Sequence, residues 1–293
     1  MKNSNCQTIF DALEKQGVQL TPEYKNKVQS KIDNIVSYEP RVGVFGKTGV
    51  GKSSLCNALF GRDVCDISDF EACTREPQEV VLSIGEKGLK LLDVPGVGES
   101  RDRDQEYAKL YKSLLPELDL IIWVLKGDDR AFTSDESFYK KLVKPYIDSG
   151  KSFFMVINQA DKIEPFREWD EEKRSPGIKQ AQNIEGKRRA VSGYFDLPLD
   201  QIIAVSANER FGLIDLVDSI VHSLPDDKKA TVLREVEEGN RSKKAEKEAD
   251  DGLVKTIIDI AVDFLPVPDA VKEPVKKVLK TVSESKIWPW NWF

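Results

Sequence analysis

Gly46-Lys47-Thr48-Gly49-Val50-Gly51-Lys52-Ser53 constrains this chain more than any other stretch, because a G-x-x-x-x-G-K-S spacing works only where a strand delivers the loop and a helix leaves it. Both neighbours are present. Arg41-Val42-Gly43-Val44-Phe45 reads as a strand, and Ser53-Ser54-Leu55-Cys56-Asn57-Ala58-Leu59-Phe60 reads as a helix closed by Gly61. The glycines let the backbone curl, the helix N-terminus presents unpaired N–H groups, Lys52 adds an ammonium and Ser53 offers a hydroxyl to a metal ion. The eight loop residues, with Ser54 in the first helical turn, are expected to surround one polyphosphate.

A length of 293 residues suffices for one α/β domain with appendages. The net charge is −6 with both signs interleaved, so no global basic field points to nucleic acid. Cys6, Cys56, Cys65 and Cys73 lack C-x-x-C spacing, and His222 is the single histidine, so a Cys/His zinc set is not formed. The cysteines read as reduced thiols of a cytoplasmic protein. No apolar run follows Met1-Lys2-Asn3-Ser4-Asn5, and no uncharged stretch of about 18 residues is long enough to span a bilayer; neither secretion nor membrane spanning is expected.

Residues 1–40 read as a helical arm, with Thr21 as N-cap, Pro22 at the first helical position, and Tyr24, Val28, Ile32, Ile35 and Val36 on one face. Beyond the phosphate loop, 62–77 show no sustained periodicity and carry Cys73-Thr74-Arg75-Glu76. Strands are expected over 78–84 and 89–92, the second ending at Asp93-Val94-Pro95-Gly96. An aspartate there can hold magnesium through water, and a following glycine can offer its N–H to a terminal phosphate. A charged, glycine-bearing segment over 98–104 leads into a helix over 107–115. Residues 119–125 form a continuous apolar strand of the kind buried on both faces of a parallel sheet. After a helix over 135–146, the strand 152–157 ends at Asn158-Gln159-Ala160-Asp161. In that position Asp161 can accept from the N1–H and exocyclic amine of guanine, a pair adenine does not present, while Asn158 ties loops together. A surface insertion over 163–177, a helix over 178–195, a strand over 202–205 delivering Ser206-Ala207-Asn208, and a closing helix with Leu213, Leu216, Val217 and Ile220 complete the alternation. The expected fold is α/β: a doubly wound, mostly parallel sheet with helices on both faces and ligand loops at the strand carboxyl ends.

Taken in order, Gly46 to Ser53, Thr74, Asp93 to Gly96, Asn158 to Asp161 and Ser206 to Asn208 resemble the five guanine-nucleotide motifs of the translation-factor-like GTPases. Within that class the chain is most similar to the Era-type branch and to the prophage-associated bacterial GTPases of the YfjP/YeeP type, on Thr74-Arg75-Glu76, Asp93-Val94-Pro95-Gly96 and Asn158-Gln159-Ala160-Asp161-Lys162. The resemblance implies GTP or GDP as ligand, Mg2+ as cofactor, and hydrolysis of GTP to GDP and phosphate. It also implies that Lys52, Thr74 and Gly96 serve catalysis, that Ser53, Thr74 and Asp93 serve the metal, and that the Ser206-Ala207-Asn208 backbone meets the guanine oxygen. Three departures stand out. Gln159 replaces the lysine that lies over the base in many relatives, Val97 replaces the glutamine that orients water in Ras-like proteins, and Gly49 replaces the asparagine of potassium-dependent relatives. Such a branch positions water otherwise, through dimerisation or a cation, so slow turnover in the monomer is expected; Arg101, Arg103 and Arg130 are candidates for a dimer's contribution.

Residues 41–225 thus form the expected nucleotide domain, 226–252 a charged helix or linker, and 253–293 a helical tail. In the tail, Lys255, Asp259 and Asp263 make a narrow polar stripe on an otherwise apolar helix, Val271, Val275, Val278, Leu279 and Val282 form a second apolar face, and the chain ends Ile287-Trp288-Pro289-Trp290-Asn291-Trp292-Phe293. The leading reading is a GTP-hydrolysing molecular switch whose switch loops and tail contact an effector protein. A homodimer through the nucleotide face, peripheral membrane contact through the tail, and a self-assembling scaffold of low turnover are alternatives; ribosome or nucleic-acid binding draws no support from the sequence itself. The tail packed on the nucleotide domain or on the N-terminal arm is the plainest option.

Overall fold

The computed structural model describes residues 3–15, 17–47, 49–61, 80–84, 89–93, 111–129, 132–265, 267–268 and 272–279. Its strands are β1 (Arg41–Phe45), β2 (Val80–Ile84), β3 (Leu89–Asp93), β4 (Leu120–Lys126), β5 (Ser152–Asn158) and β6 (Ile202–Ala204). Its α-helices include α1 (Asn3–Lys15), α2 (Pro22–Val36), α3 (Lys52–Phe60), α4 (Thr133–Phe138), α5 (Lys144–Asp148), α6 (Ile178–Phe195), α7 (Leu213–Ser223), α8 (Asp226–Glu235) and α9 (Lys243–Asp263). The chain divides into two compact units, one of residues 40–224 with 235–242, the other of 1–39, 225–234 and 243–293.

In the first unit the six strands run in the order β2-β3-β1-β4-β5-β6, with β2 antiparallel to β3 and all other pairs parallel. The expected doubly wound, mostly parallel sheet is therefore present. Alternation along β4 and β5 explains why both faces are covered. Ile121, Trp123 and Leu125 with Phe153, Met155 and Ile157 point into one layer, where Tyr111, Phe138, Tyr139, Val191 and Phe195 meet them. Leu120, Ile122, Val124, Phe154 and Val156 are buried as well, on the other face. Phe45 and Trp123 stack at 6.1 Å, and Tyr111 meets Phe138 edge-on at 4.5 Å. Each large side chain fully withdrawn from water here contributes roughly 1.5–3 kcal/mol.

The single helix expected over 135–146 is instead α4, a π-helical turn (Tyr139–Val143) and α5 in succession. Pro145 at the start of α5 has no N–H to continue a ladder, and the wider turn before it accommodates that loss. Within the same unit, 235–242 close the far end of α3: the Glu237 N–H donates to Leu59 O at 2.9 Å and Asn240 Nδ2 donates to Ala58 O and Leu59 O at 2.7 and 3.2 Å. These bonds satisfy carbonyls that a helix C-terminus leaves without partners.

In the second unit Thr21 caps α2, its Oγ1 accepting from Tyr24 N, and Tyr24, Val28, Ile32 and Val36 form the buried face. Ile35, expected on that face, is half-buried. The apolar side of α9 supplies Leu253, Ile257, Ile258, Ala261 and Val262. Helix α9 packs on α2, and the Tyr24 hydroxyl donates to Ala261 O. The polar stripe of α9 is paired at its rim, Lys255 with Asp226 at 2.6 Å and Asp259 with Lys276 at 2.8 Å. The N-terminal arm thus covers the apolar face of 253–263; the Trp-rich end, 287–293, lies outside the described residues. Among the described residues no helix is long and apolar enough to cross a membrane.

Candidate functional site

Strand order makes the site. β1 lies between β3 and β4, where the direction of winding reverses, and parallel pairing brings the carboxyl ends of β1, β3, β4, β5 and β6 to one edge. The loop leaving β1 sits at that crevice. Gly46, Gly49 and Gly51 have φ of 140°, 81° and 86°, backbone that side-chain-bearing residues rarely adopt. A Cβ on Gly46 would run into Val124 O, and one on Gly51 would stand 2.5 Å from Asn158 Nδ2. Glycine is therefore required by both conformation and close approach. Lys52, at the first position of α3, is 8 % exposed and donates from Nζ to Gly46 O at 3.0 Å and Lys47 O at 3.3 Å, folding its ammonium into the loop. Ser53 and Ser54 follow in the first helical turn, whose N–H groups have no side-chain cap. Such a cradle of backbone donors, one ammonium and a hydroxyl matches a magnesium-bound polyphosphate in charge and in donor chemistry.

Asn158, the last residue of β5 and 1 % exposed, joins three loops. Its Nδ2 donates to Val50 O at 3.0 Å and Gly51 O at 3.3 Å, and its Oδ1 accepts from Ala207 N at 3.1 Å. One amide therefore holds the phosphate loop, its own loop and the 206–208 loop in register. Gln159 has a φ of 60°, which turns the chain into the 3-10 turn Ala160–Lys162 that carries Asp161. The Ala160 N–H donates to Val205 O at 3.0 Å, and the loop after β6 is closed by a Ser206–Phe211 bridge. Ser206, Ala207, Asn208, Asp161 and the phosphate loop accordingly share the edge that parallel pairing defines. A cavity of about 470 Å³ opens beside Asp161, lined by Lys162, Phe166, Trp169, Glu171 and Glu209.

Asp93 ends β3 opposite Val44 of β1, two residues before Gly46, so its backbone stands at the same edge. Thr48, Thr74, Gly96, Val97, Arg101, Arg103 and Arg130 lie outside the described residues. The Lys47 side chain is drawn out of the loop: its Nζ lies 2.7 Å from Asp135 Oδ2 and 3.8 Å from Asp129 Oδ2. Asp135 is 1 % exposed, and burial pushes its carboxyl above the usual range while the Lys47 hydrogen bond and charge pull it back.

Sequence reasoning passed over Asp135, Glu168 and Gln180. Gln180 is fully buried, with Nε2 donating to Asp161 O and Ile163 O at 2.9 Å each. Glu168 Oε2 accepts from Lys179 N at 3.0 Å and Gln180 N at 3.2 Å. No spacing rule marks a glutamine in the first turn of a helix, and the charge of Glu168 reads as solvated surface; only the fold shows what they hold.

A model of the family described as 50S ribosome-binding GTPase matches residues 41–159. The proteins YkfA and YfjP of Escherichia coli (strain K12) are each 36 % identical to the chain, over 91 % of it and 92 % of their own lengths. GTPase Der of Aquifex aeolicus (strain VF5) is 27 % identical over 66 % of this chain and 39 % of Der. With the phosphate loop and the strand order in agreement, the chain belongs to the Era-type P-loop GTPases, a GTP-binding family, in the branch of YkfA and YfjP.

Proposed function

We propose that this GTPase is a magnesium-dependent molecular switch that reads guanine through Asp161, holds the triphosphate with residues 46–54, and hydrolyses GTP with water to GDP and phosphate. The observation that carries the reading is the Asn158 amide, which links the phosphate loop to Ala207 and makes phosphate and base recognition parts of one rigid edge. Lys52 supplies positive charge to the transferred phosphoryl group, and the Gly96 N–H adds a donor at the terminal phosphate. Ser53, Thr74 and Asp93 would hold magnesium, which supplies neutralisation of the phosphate oxygens when bound. Gln159 flanks the base and the Ser206-Ala207-Asn208 backbone meets its oxygen.

The Val97 side chain has no donor or acceptor to orient water, so isolated monomer is expected to turn over at about 10⁻⁴ to 10⁻² per second, with self-association or a partner raising the rate. The switch segments and the tail are the surfaces assigned to an effector, in the cytoplasm. Covering of the α9 apolar face by α2 argues against that face lying on lipid. The test is a competition titration of GTP against ATP with phosphate release measured in parallel. GTP is expected to win by orders of magnitude, and Asp161→Asn is expected to move the preference toward xanthine nucleotides. Equal affinity for ATP would sink the assignment.

A further inference from the structure

We propose that Gln180 is a positioning residue for guanine recognition, with the insertion over 164–177 as its frame; this rests on Asp161 being the carboxylate that reads the base. Asp161 sits in a single 3-10 turn whose local bonds are Lys162 N to Gln159 O at 3.0 Å and Ile163 N to Ala160 O at 3.1 Å. One such turn, with its poorer hydrogen-bond geometry, is a weak device for aiming a side chain. Gln180 supplies what the turn lacks. Both of its amide hydrogens go to carbonyls of that segment, Asp161 O and Ile163 O, from a fully buried position on α6.

The insertion fixes Gln180 in turn. Glu168 accepts from the N–H groups of Lys179 and Gln180, so the first turn of α6 is anchored on both its backbone and its side chain. Gly177 lies so close that a Cβ there would stand 2.7 Å from the Glu168 Cβ and 2.8 Å from its O, which keeps the cap and the helix start together. The insertion is itself ordered by reciprocal bonds between Asp170 and Ser175. Its Trp169 ring meets Phe211 edge-on at 5.4 Å, and Phe211 bridges Ser206 in the other base-facing loop. The insertion is therefore linked to both loops assigned to the base, to one indirectly through Glu168 and then Gln180 and to the other through the Trp169–Phe211 contact.

A residue that merely satisfies two carbonyls would change stability without changing which base is preferred. A positioning residue changes the preference. The experiment measures Kd for GTP, ITP and ATP, together with thermal melting, on full-length wild type, Gln180→Met, Glu168→Ala, Asp161→Asn and the Gln180→Met/Asp161→Asn double variant. ITP lacks the exocyclic amine, so the GTP-to-ITP ratio reports on the Asp161 carboxylate. Gln180→Met, of similar length with no donor, is expected to reduce that ratio by about tenfold or more. Glu168→Ala, on an exposed side chain, moves it less in the same direction, and Gln180→Met adds nothing to the ratio once Asp161 is already Asn. A wild-type ratio in Gln180→Met overturns the proposal even if melting falls. Should that variant not fold, an unchanged ratio in Glu168→Ala overturns it. Wild type that fails to prefer GTP over ATP removes the Asp161 reading itself, a result distinct from normal wild-type selectivity with an unmoved Gln180 variant.

Discussion

In the sheet unit the buried polar groups Lys52, Asn158 and Gln180 each donate to backbone carbonyls in a turn or loop. In the helical unit Val28 and Ile32 of α2 and Leu253 and Ile257 of α9 are buried, and the charges of α9 pair at the rim. A buried donor is tolerated only when its partner lies at the correct distance and angle, so each such group fixes a piece of backbone. Apolar faces accept many side chains of similar volume and specify position less sharply. The sheet unit adds to its apolar core a set of buried donors that hold loops in place, whereas the helical unit uses a buried donor, the Tyr24 hydroxyl, to tie one helix to another.

The largest expected effects separate the units by what they damage. Lys52→Ala removes an ammonium from the phosphate cradle, and GTP affinity is expected to fall more than about hundredfold, roughly 3 kcal/mol, with little change in melting of the nucleotide-free protein. Ile32→Ala empties a fully buried site on α2 and is expected to cost about 2–5 kcal/mol of stability in that unit while leaving GTP affinity within about twofold. Denaturant melts and nucleotide titrations on the two variants check the pair. Equal losses of affinity in both would erase the distinction.

Asn158→Ala lies between these extremes, because it strips partners from Val50 O, Gly51 O and Ala207 N at once. A stability cost of roughly 1–3 kcal/mol is expected, with weakened binding of both GTP and GDP, since the loops after β1, β5 and β6 lose their common tie. Wild-type affinity for GDP in this variant would show that the loops are held by other means.

Legibility follows the same division. The phosphate loop, β1, β4, β5 and the closing helix were readable because short-range rules tie their residues to backbone form: glycines at positive φ, apolar runs, a cap at Thr21. The role of Asn158 as a tie was readable from its motif. Gln180 and Asp135 were not, since their function is defined by a partner nineteen and eighty-eight residues away, Asp161 and Lys47 respectively, a relation no local pattern carries. The charged stretch after 225 was opaque for another reason. Glu237 and Asn240 look like solvated residues, yet they cap α3, whereas neighbouring Lys229 pairs with Glu248 inside the helical unit.

The smallest effect contrasts two aspartates whose carboxyls are both pushed up. Asp135 is raised by burial and restrained by Lys47, and Asp250 on α9 is raised to about 6 by burial, with Asp251 and Glu246 adding repulsion. Asp135→Asn removes a charge that burial disfavours even though it lies 2.7 Å from the Lys47 ammonium, and is expected to leave the sheet unit unchanged or stabilise it by about 1 kcal/mol or less at neutral pH. Asp250→Asn works in the same direction. With a folded value above the ordinary 3.8, the folded state holds the proton longer than the unfolded chain, so the helical unit is most stable below about 4 and loses stability as pH rises from there through about 6. Asp250 is only half-buried, and solvent screening reduces the effect to about 1 kcal/mol or less. Wild type should therefore melt a few degrees lower at pH 7 than at pH 5 in the helical transition, and Asp250→Asn should narrow that gap while raising the pH 7 midpoint. An unchanged gap would mean that another group in the unit carries the titration. Clear destabilisation by Asp135→Asn would mean that its pair with Lys47 contributes more than burial of the carboxylate costs.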